Sequence, residues 1–148
     1  MHNHLLIAID GSELAFDALK EGVGIAKMFG ARVTIVTVTE PWQSVIVGGT
    51  GVGAPLDDYE KTNAEWASKT LSEAKAVAEE VGLETETVHV KDSYPADAII
   101  ATAEQRDCDM IVVASHGRRG FRRLLLGSQA NEVVTHSSVP VLIWRRKP

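Results

Sequence analysis

A single cysteine, Cys108, is all the thiol that this chain of 148 residues carries, so no intramolecular disulfide can form. No second thiol or histidine stands at metal-ligand spacing from it. No apolar stretch approaches the ~20 residues that a membrane helix needs, which excludes a spanning helix as the organising element. The opening Met1-His2-Asn3-His4 has no basic segment ahead of a long apolar one, so cytoplasm is the expected compartment. Net positive charge is lacking too. The formal charge is −5 and the isoelectric point about 5.5, which argues against general nucleic-acid binding. Internal repeats, linkers and a compositional break that would mark a second domain are absent as well.

What remains is a chain suited to one α/β domain. At 148 residues with 45% hydrophobic content it is long enough to bury roughly 68–70% of its unfolded surface. Leu5-Leu6-Ile7-Ala8-Ile9 is continuously apolar, as a strand covered on both faces should be, and Asp10-Gly11-Ser12 ends it and caps a helix over Glu13 to Phe29. Gly30 stops that helix, and Arg32 to Val38, rich in β-branched residues, is the second strand. A glycine-heavy loop is expected from Trp42 to Pro55. The helix that follows, from about Asp57, carries Ala67, Leu71, Ala74, Ala78 and Val81 at the spacing of one buried stripe. Glu84 to Val90 alternates and reads as a less buried, edge strand. Pro95 opens a helix, Met110-Ile111-Val112-Val113 is the fourth strand, Ser128 to about Ser137 the last helix, and Val139 to Trp144 the fifth strand. Strands separated by helices are parallel with right-handed crossovers. The expected fold is a single-domain, open, doubly wound five-stranded parallel sheet of order 3-2-1-4-5 with helices on both faces, whose switch point lies between strands one and four.

The residues with most chemistry sit beside that switch point. The fourth strand empties into Ala114-Ser115-His116-Gly117-Arg118-Arg119-Gly120, and nine residues after Gly117 comes Gly127-Ser128, at the mouth of a helix. Glycines let main-chain N–H groups approach a ligand, and a helix N-terminus adds unpaired donors and a positive dipole end. Between the glycines stand Arg118, Arg119, Arg122 and Arg123 with no acidic residue, so the local field opposes the global one. An anion, and a nucleotide in particular, is the expected guest.

The segments Val112 to Phe121, Leu124 to Ser128 and Val139 to Ile143 resemble the carboxyl-terminal signature of the universal stress proteins, and Ile7 to Ser12 is similar to that family's start. The family's nucleotide-binding members carry glycine, two residues, glycine, nine residues, then glycine with serine or threonine. Gly117, Gly127 and Ser128 match, Ala114 replaces the first glycine, and Ser93 stands where many members have glycine. The resemblance implies ATP, or ADP or AMP, as ligand. Asp10 would reach ribose hydroxyls or the base edge, and Val38 would offer its backbone to adenine. Gly117, Gly127, Ser128 and the N–H of Gln129 would hold phosphates, with the Ser128 hydroxyl also capping its helix. Ala8 and Ala114, at strand ends, and Arg118 complete the contact set. Mg²⁺ is expected only with the nucleotide, and Asp10 is its nearest ligand.

Other constellations carry less. Gly48-Gly49-Thr50-Gly51-Val52-Gly53 lacks G-x-G-x-x-G spacing and reads as a flap. His116, His136 and Ser115 have neither triad order nor a nucleophile elbow. His2 and His4 stand at i, i+2 on a terminus expected to fray. Without a Walker lysine or an arginine finger, the expected activity is at most a slow ATPase, and a non-enzymatic binding protein is favoured. Two alternatives stay open: a stress-family member without nucleotide that acts through protein contacts, and a receiver-like domain, for which Asp10-Gly11 and Trp144-Arg145 stand where an acidic pair and a lysine are needed. A homodimer through the edge strand Val139 to Trp144 is expected, with no nucleic acid and no membrane as partner.

Overall fold

The run Leu5 to Ile9 explains the architecture in miniature: its odd and even residues pack into different cores. Leu5, Ile7 and Ile9 join one apolar cluster, Leu6 another, because successive side chains of a strand point to opposite faces. The computed structural model describes residues 2–47, 55–116 and 126–147. Among these, five strands form one parallel sheet: β1 (His4–Ala8), β2 (Arg32–Val38), β3 (Thr85–Val90), β4 (Met110–Ala114) and β5 (Val141–Trp144). Their order is β3-β2-β1-β4-β5, with β3 at one edge and β5 at the other, as the sequence predicts.

Helices α1 (Glu13–Phe29) and α3 (Leu56–Glu80) cover one face, where Ala15, Leu19, Val23, Leu71, Ala74 and Ala78 pack on β1 and β2. Helices α4 (Pro95–Gln105) and α5 (Ser128–His136) cover the other through Ala96, Ile99, Ala103, Ala130 and Val133. The chain winds outward from β1 to β3 on the first face, then returns across the second to β4. Strands β1 and β4 are neighbours, with Ile7 in register with Val112. Their connections leave in opposite directions, which opens a crevice at their carboxyl ends.

Local signals set the helix ends. The Ser12 hydroxyl accepts the Ala15 N–H at 3.1 Å as N-cap of α1. Gly30 closes the same helix in the left-handed conformation, φ 66°, with its N–H on the carbonyls of Ala26 and Lys27. Three expectations need correction. Residues 42–47 are not loop but a short helix, α2 (Trp42–Val47), started by Pro41, whose carbonyl accepts the Ser44 N–H at 3.0 Å. Strand β5 begins at Val141 rather than Val139, because the Ser137 hydroxyl ties the Val139 N–H and C=O into a turn and Pro140 has no N–H to give. The amino terminus does not fray at His4, which starts β1 and is 5% exposed.

Candidate functional site

The carboxyl ends of β1, β2 and β4, the first turns of α3, α4 and α5, and the loops between them surround a cavity of about 370 Å³. Its size suits a small-molecule site. Ala8, Asp10, Val38, Ala114, Gly127, Ser128 and Gln129 all line it. Gly117 and Arg118 lie outside the described residues, as does the Gly48 to Gly53 segment.

Asp10 follows β1 immediately. One of its carboxylate oxygens accepts the Ser12 N–H at 2.9 Å, and Gly11 between them takes φ +82°. A Cβ on Gly11 would stand 3.0 Å from the Trp66 ring, so both conformation and space call for glycine. This turn holds Asp10 at the cavity while Ser12, not Asp10, caps α1.

On the other side of the crevice, α5 starts with Gly127 at its N-cap. The Gly127 N–H donates to the Ser115 carbonyl at 2.8 Å, and a Cβ there would sit 3.0 Å from that same oxygen. Glycine is therefore needed where the end of β4 and the start of α5 touch backbone to backbone. Ser128 is the first helical residue, so the expected role of its hydroxyl as helix cap is corrected: the cap position belongs to Gly127, and among the described residues no side chain caps this helix. The first-turn N–H groups of Ser128, Gln129 and Ala130 have no intrahelical acceptor, and their dipole end faces the cavity. The Gln129 side chain accepts the Ala96 N–H at 3.0 Å, which locks the first turns of α4 and α5 together.

Ala114 ends β4 in ordinary strand geometry; among the described residues only Asp92 and Asp107 are non-glycines with positive φ. An alanine in place of the motif's first glycine is therefore unstrained. His116 also lines the cavity, with its Nδ1 3.1 Å from the Ser115 hydroxyl.

The sequence reading missed the wall contributed by Thr39, Glu40, Tyr59 and Asn63. Thr39 is buried, and its hydroxyl pairs with His89 Nε2 at 2.9 Å; burial, then the Lys91 charge, pushes the His89 pKa down. The Tyr59 hydroxyl donates to the Glu40 carbonyl at 2.8 Å. One signal could have found two of these residues. The stripe Ala67, Leu71, Ala74, Ala78, extended backward in steps of four, passes through Asn63 and Tyr59, and polar residues on a buried stripe mark the point where it leaves the core. Among the described residues no group of three or more His, Cys, Asp or Glu is placed to hold a metal.

The universal stress protein family model matches residues 1–145. The chain belongs to this family. Among its relatives, universal stress protein YxiE of Bacillus subtilis is 34% identical over 149 residues, covering 98% of this chain and all of YxiE. Universal stress protein MJ0531 of Methanocaldococcus jannaschii is 30% identical over 146 residues, covering 99% of this chain and 84% of MJ0531. The solved structure of MJ0577 superposes with a TM-score of 0.83 at 25% identity, covering 100% of this chain and 99% of that one. A universal stress protein solved in complex with cAMP superposes with a TM-score of 0.70 at 24% identity, with 97% of each chain covered. The universal stress protein of Archaeoglobus fulgidus in complex with dAMP gives 0.67 at 22%, again with 97% of each covered. These last two likenesses place the fold.

Proposed function

We infer that the cavity binds an adenine nucleotide and that the protein works as a cytoplasmic, ligand-dependent switch in stress physiology. One observation carries the reading: the uncapped first turn of α5 and the Asp10 carboxylate face each other across a single cavity at the sheet's switch point. The α5 N–H groups suit phosphate oxygens, and Asp10 suits ribose hydroxyls. Gly117 and Arg118 join the phosphate end by their place in the motif. Ala8 and Ala114 present only methyl groups at the floor, which lets a ligand lie close to the strand ends.

Val38 suits the base through its main chain. Ile9 donates the last β1 to β2 ladder bond, to Val36, at 2.9 Å. The N–H and C=O of alternate residues point to the same side, so those of Val38 face the crevice beyond the end of β1. The Ile9 carbonyl, which a longer ladder would offer to Val38, accepts the Thr37 hydroxyl at 2.8 Å. Two proteins of the same fold were solved with cAMP and dAMP, which supports an adenine nucleotide at this place. Mg²⁺ fits as a companion of the phosphates, because Asp10 supplies one carboxylate and Mg²⁺ keeps most of its waters. Among the described residues no side chain lining the cavity is positioned as a strong general base, so any ATP hydrolysis is slow.

The test is mass spectrometry of nucleotide released from protein purified without added ligand, joined to thermal melts. ATP with Mg²⁺ at a hundredfold excess over Kd stabilises by about 2.7 kcal/mol, roughly 5–10 °C for a domain of this size, and GTP does less. Equal shifts with both refute the preference for adenine and leave a nucleotide site that does not read the base; no shift with either at millimolar ligand refutes the reading and leaves the form that acts through protein contacts.

The same proposal includes a homodimer through β5, the half-buried edge strand. Arg146 does not guard that edge, since its guanidinium pairs with Glu13 and Asp17 of α1. The carbonyls of Pro140 and Trp144 accept from Ile111 and Ser115, so even-numbered residues of β5 face β4 and the outward ladder groups are those of Val141 and Ile143. Proline at Ile143, not at Leu142, thus removes an edge donor, and it should give monomer in sedimentation. A wild-type chain that sediments as monomer at micromolar concentration ends the dimer.

A further inference from the structure

The cavity is chemically polarised along its length. At the β4 side lies the α5 first turn, with its N–H groups and positive dipole end. At the β2 side lie Glu40, Tyr59 and Asn63. The N–H end of α5 attracts phosphate, so a bound nucleotide points its phosphates at α5 and its base at the β2 side. There the Tyr59 hydroxyl is already bonded to the Glu40 carbonyl, which fixes the ring as a wall. Asn63, one turn further along α3, is half-buried on the row that continues into the fully buried Ala67, Ala74 and Ala78. Its carboxamide lines the cavity and makes no hydrogen bond among the described residues. A half-buried polar group at the cavity wall that has no protein partner is free to pair with a ligand group in place of water.

We propose that Asn63 is the residue that selects adenine, by pairing its carboxamide with the N6 and N7 atoms of the base. This inference rests on the nucleotide reading of the cavity. A carboxamide has one acceptor and one donor side, and adenine answers with a donor at N6 and an acceptor at N7. Guanine and hypoxanthine present two acceptors, O6 and N7, on the same edge, so the amide oxygen of Asn63 meets an oxygen. Main-chain contact at Val38 adds affinity, and Asn63 adds the discrimination.

The experiment is calorimetry with four probes, ATP, inosine triphosphate, 7-deaza-ATP and inorganic tripolyphosphate, on the wild-type protein and on Asn63→Ala and Asn63→Asp. Alanine keeps the helix, so the variants are first matched by circular dichroism and melting temperature. Wild type binds ATP about tenfold tighter than either base analogue, the scale of one good side-chain pair to a base. Asn63→Ala loses about tenfold for ATP, binds all three nucleotides alike, and keeps its tripolyphosphate affinity. Asn63→Asp loses more for ATP, because a second acceptor faces N7. If Asn63→Ala retains the preference for ATP over both analogues, or if wild type shows none while binding them all, the inference about Asn63 is wrong and the nucleotide reading stands. If wild type binds neither ATP nor tripolyphosphate, the nucleotide reading itself fails.

Discussion

At the amino ends of the strands polar groups satisfy one another, whereas at the carboxyl ends they surround a cavity. On the amino side His4 Nε2 lies 2.7 Å from the Thr34 hydroxyl, and the Asp109 carboxylate accepts the N–H groups of Asn3 and His4 at 2.8 and 3.3 Å. A cavity of about 200 Å³ exists there too, but it lies beside the last turn of α4 and the residues after α5, lined by Ala103, Glu104, Cys108 and Val139. Parallel winding sends every helix back against the strands, so helix carbonyl ends collect on this side and helix N–H ends on the other. An anion is repelled at one end and attracted at the other. Binding chemistry thus needs few dedicated side chains, because topology supplies the donors and the loops only admit the ligand.

The comparison breaks most severely at Gly127. Valine there puts a branched Cβ 3.0 Å from the Ser115 carbonyl, and both are backbone-anchored, so β4 and α5 must move apart. Nucleotide affinity should fall at least tenfold and the melting temperature should drop with it, as overpacking costs typically about 1–3 kcal/mol. A Gly127→Val protein that melts like wild type and binds normally removes α5 from the site. The amino end offers the complementary case. Thr34→Val, at a fully buried position, strands the His4 ring without its partner and should cost about 1–3 kcal/mol in denaturant unfolding. Nucleotide affinity should not change, since the opposite end of the sheet is untouched. A concurrent loss of affinity would mean that the two ends are coupled.

Much of this division is legible in the chain. Continuous apolar runs gave buried parallel strands, Ser12 and Gly30 bounded α1, and alternation in Glu84 to Val90 marked an edge. The motif ending in Gly127-Ser128 pointed to the end of the sheet where the larger cavity opens. What sequence could not give is convergence across the sheet. Asn63 lies more than fifty residues from Asp10 and from Gly127, and only the packed stripe of α3 brings it to the same cavity. The need for glycine at 127 has the same origin: the motif reads as space for a ligand, while the nearest atom is the Ser115 carbonyl. Helix α2 was missed because six residues are too few to show a period. His4 looked like a loose terminal residue because its partner Thr34 belongs to the neighbouring strand.

A smaller effect separates the ends by pH. Burial, then the charge of Arg32, pushes the His4 pKa below its usual 6.5. The folded state therefore binds its proton less readily than the unfolded chain, and stability is full above about pH 6.5 and falls as pH drops toward the folded pKa. The Arg106 carbonyl, which accepts from the ring, and the negative charges of Asp109 and Glu86 pull the other way without reversing the shift. Burial raises Asp109, but the N–H groups of Asn3 and His4 and the nearby His2 outweigh it, and the Arg106 side chain holds Glu86 low, so these two carboxylates add their losses at more acidic pH. The slope due to His4 cannot exceed about 1.4 kcal/mol per pH unit, the limit for one proton. In urea titrations between pH 7 and 5, His4→Gln, which offers Thr34 an amide with no titration, should flatten this limb. An unchanged slope would assign the acid loss to another group.

The smallest expected effect is at the rim of the same closed end, where Arg106 pairs with Glu86 of the edge strand β3. The Glu86 side chain is 57% exposed and that of Arg106 34%, so water screens the attraction and both long side chains lose freedom in making it. Replacing Arg106 with methionine keeps most of the aliphatic stem and removes the charge. The change in unfolding free energy should be about 0.5 kcal/mol or less, and 0.5 M salt should erase it in the wild type. Closure at this end would then rest on the buried His4 to Thr34 contact and the Asp109 cap of the first strand, with the surface pair as trim. A loss above about 2 kcal/mol would place the ion pair inside the seal and move the boundary between the two ends outward to the edge strand.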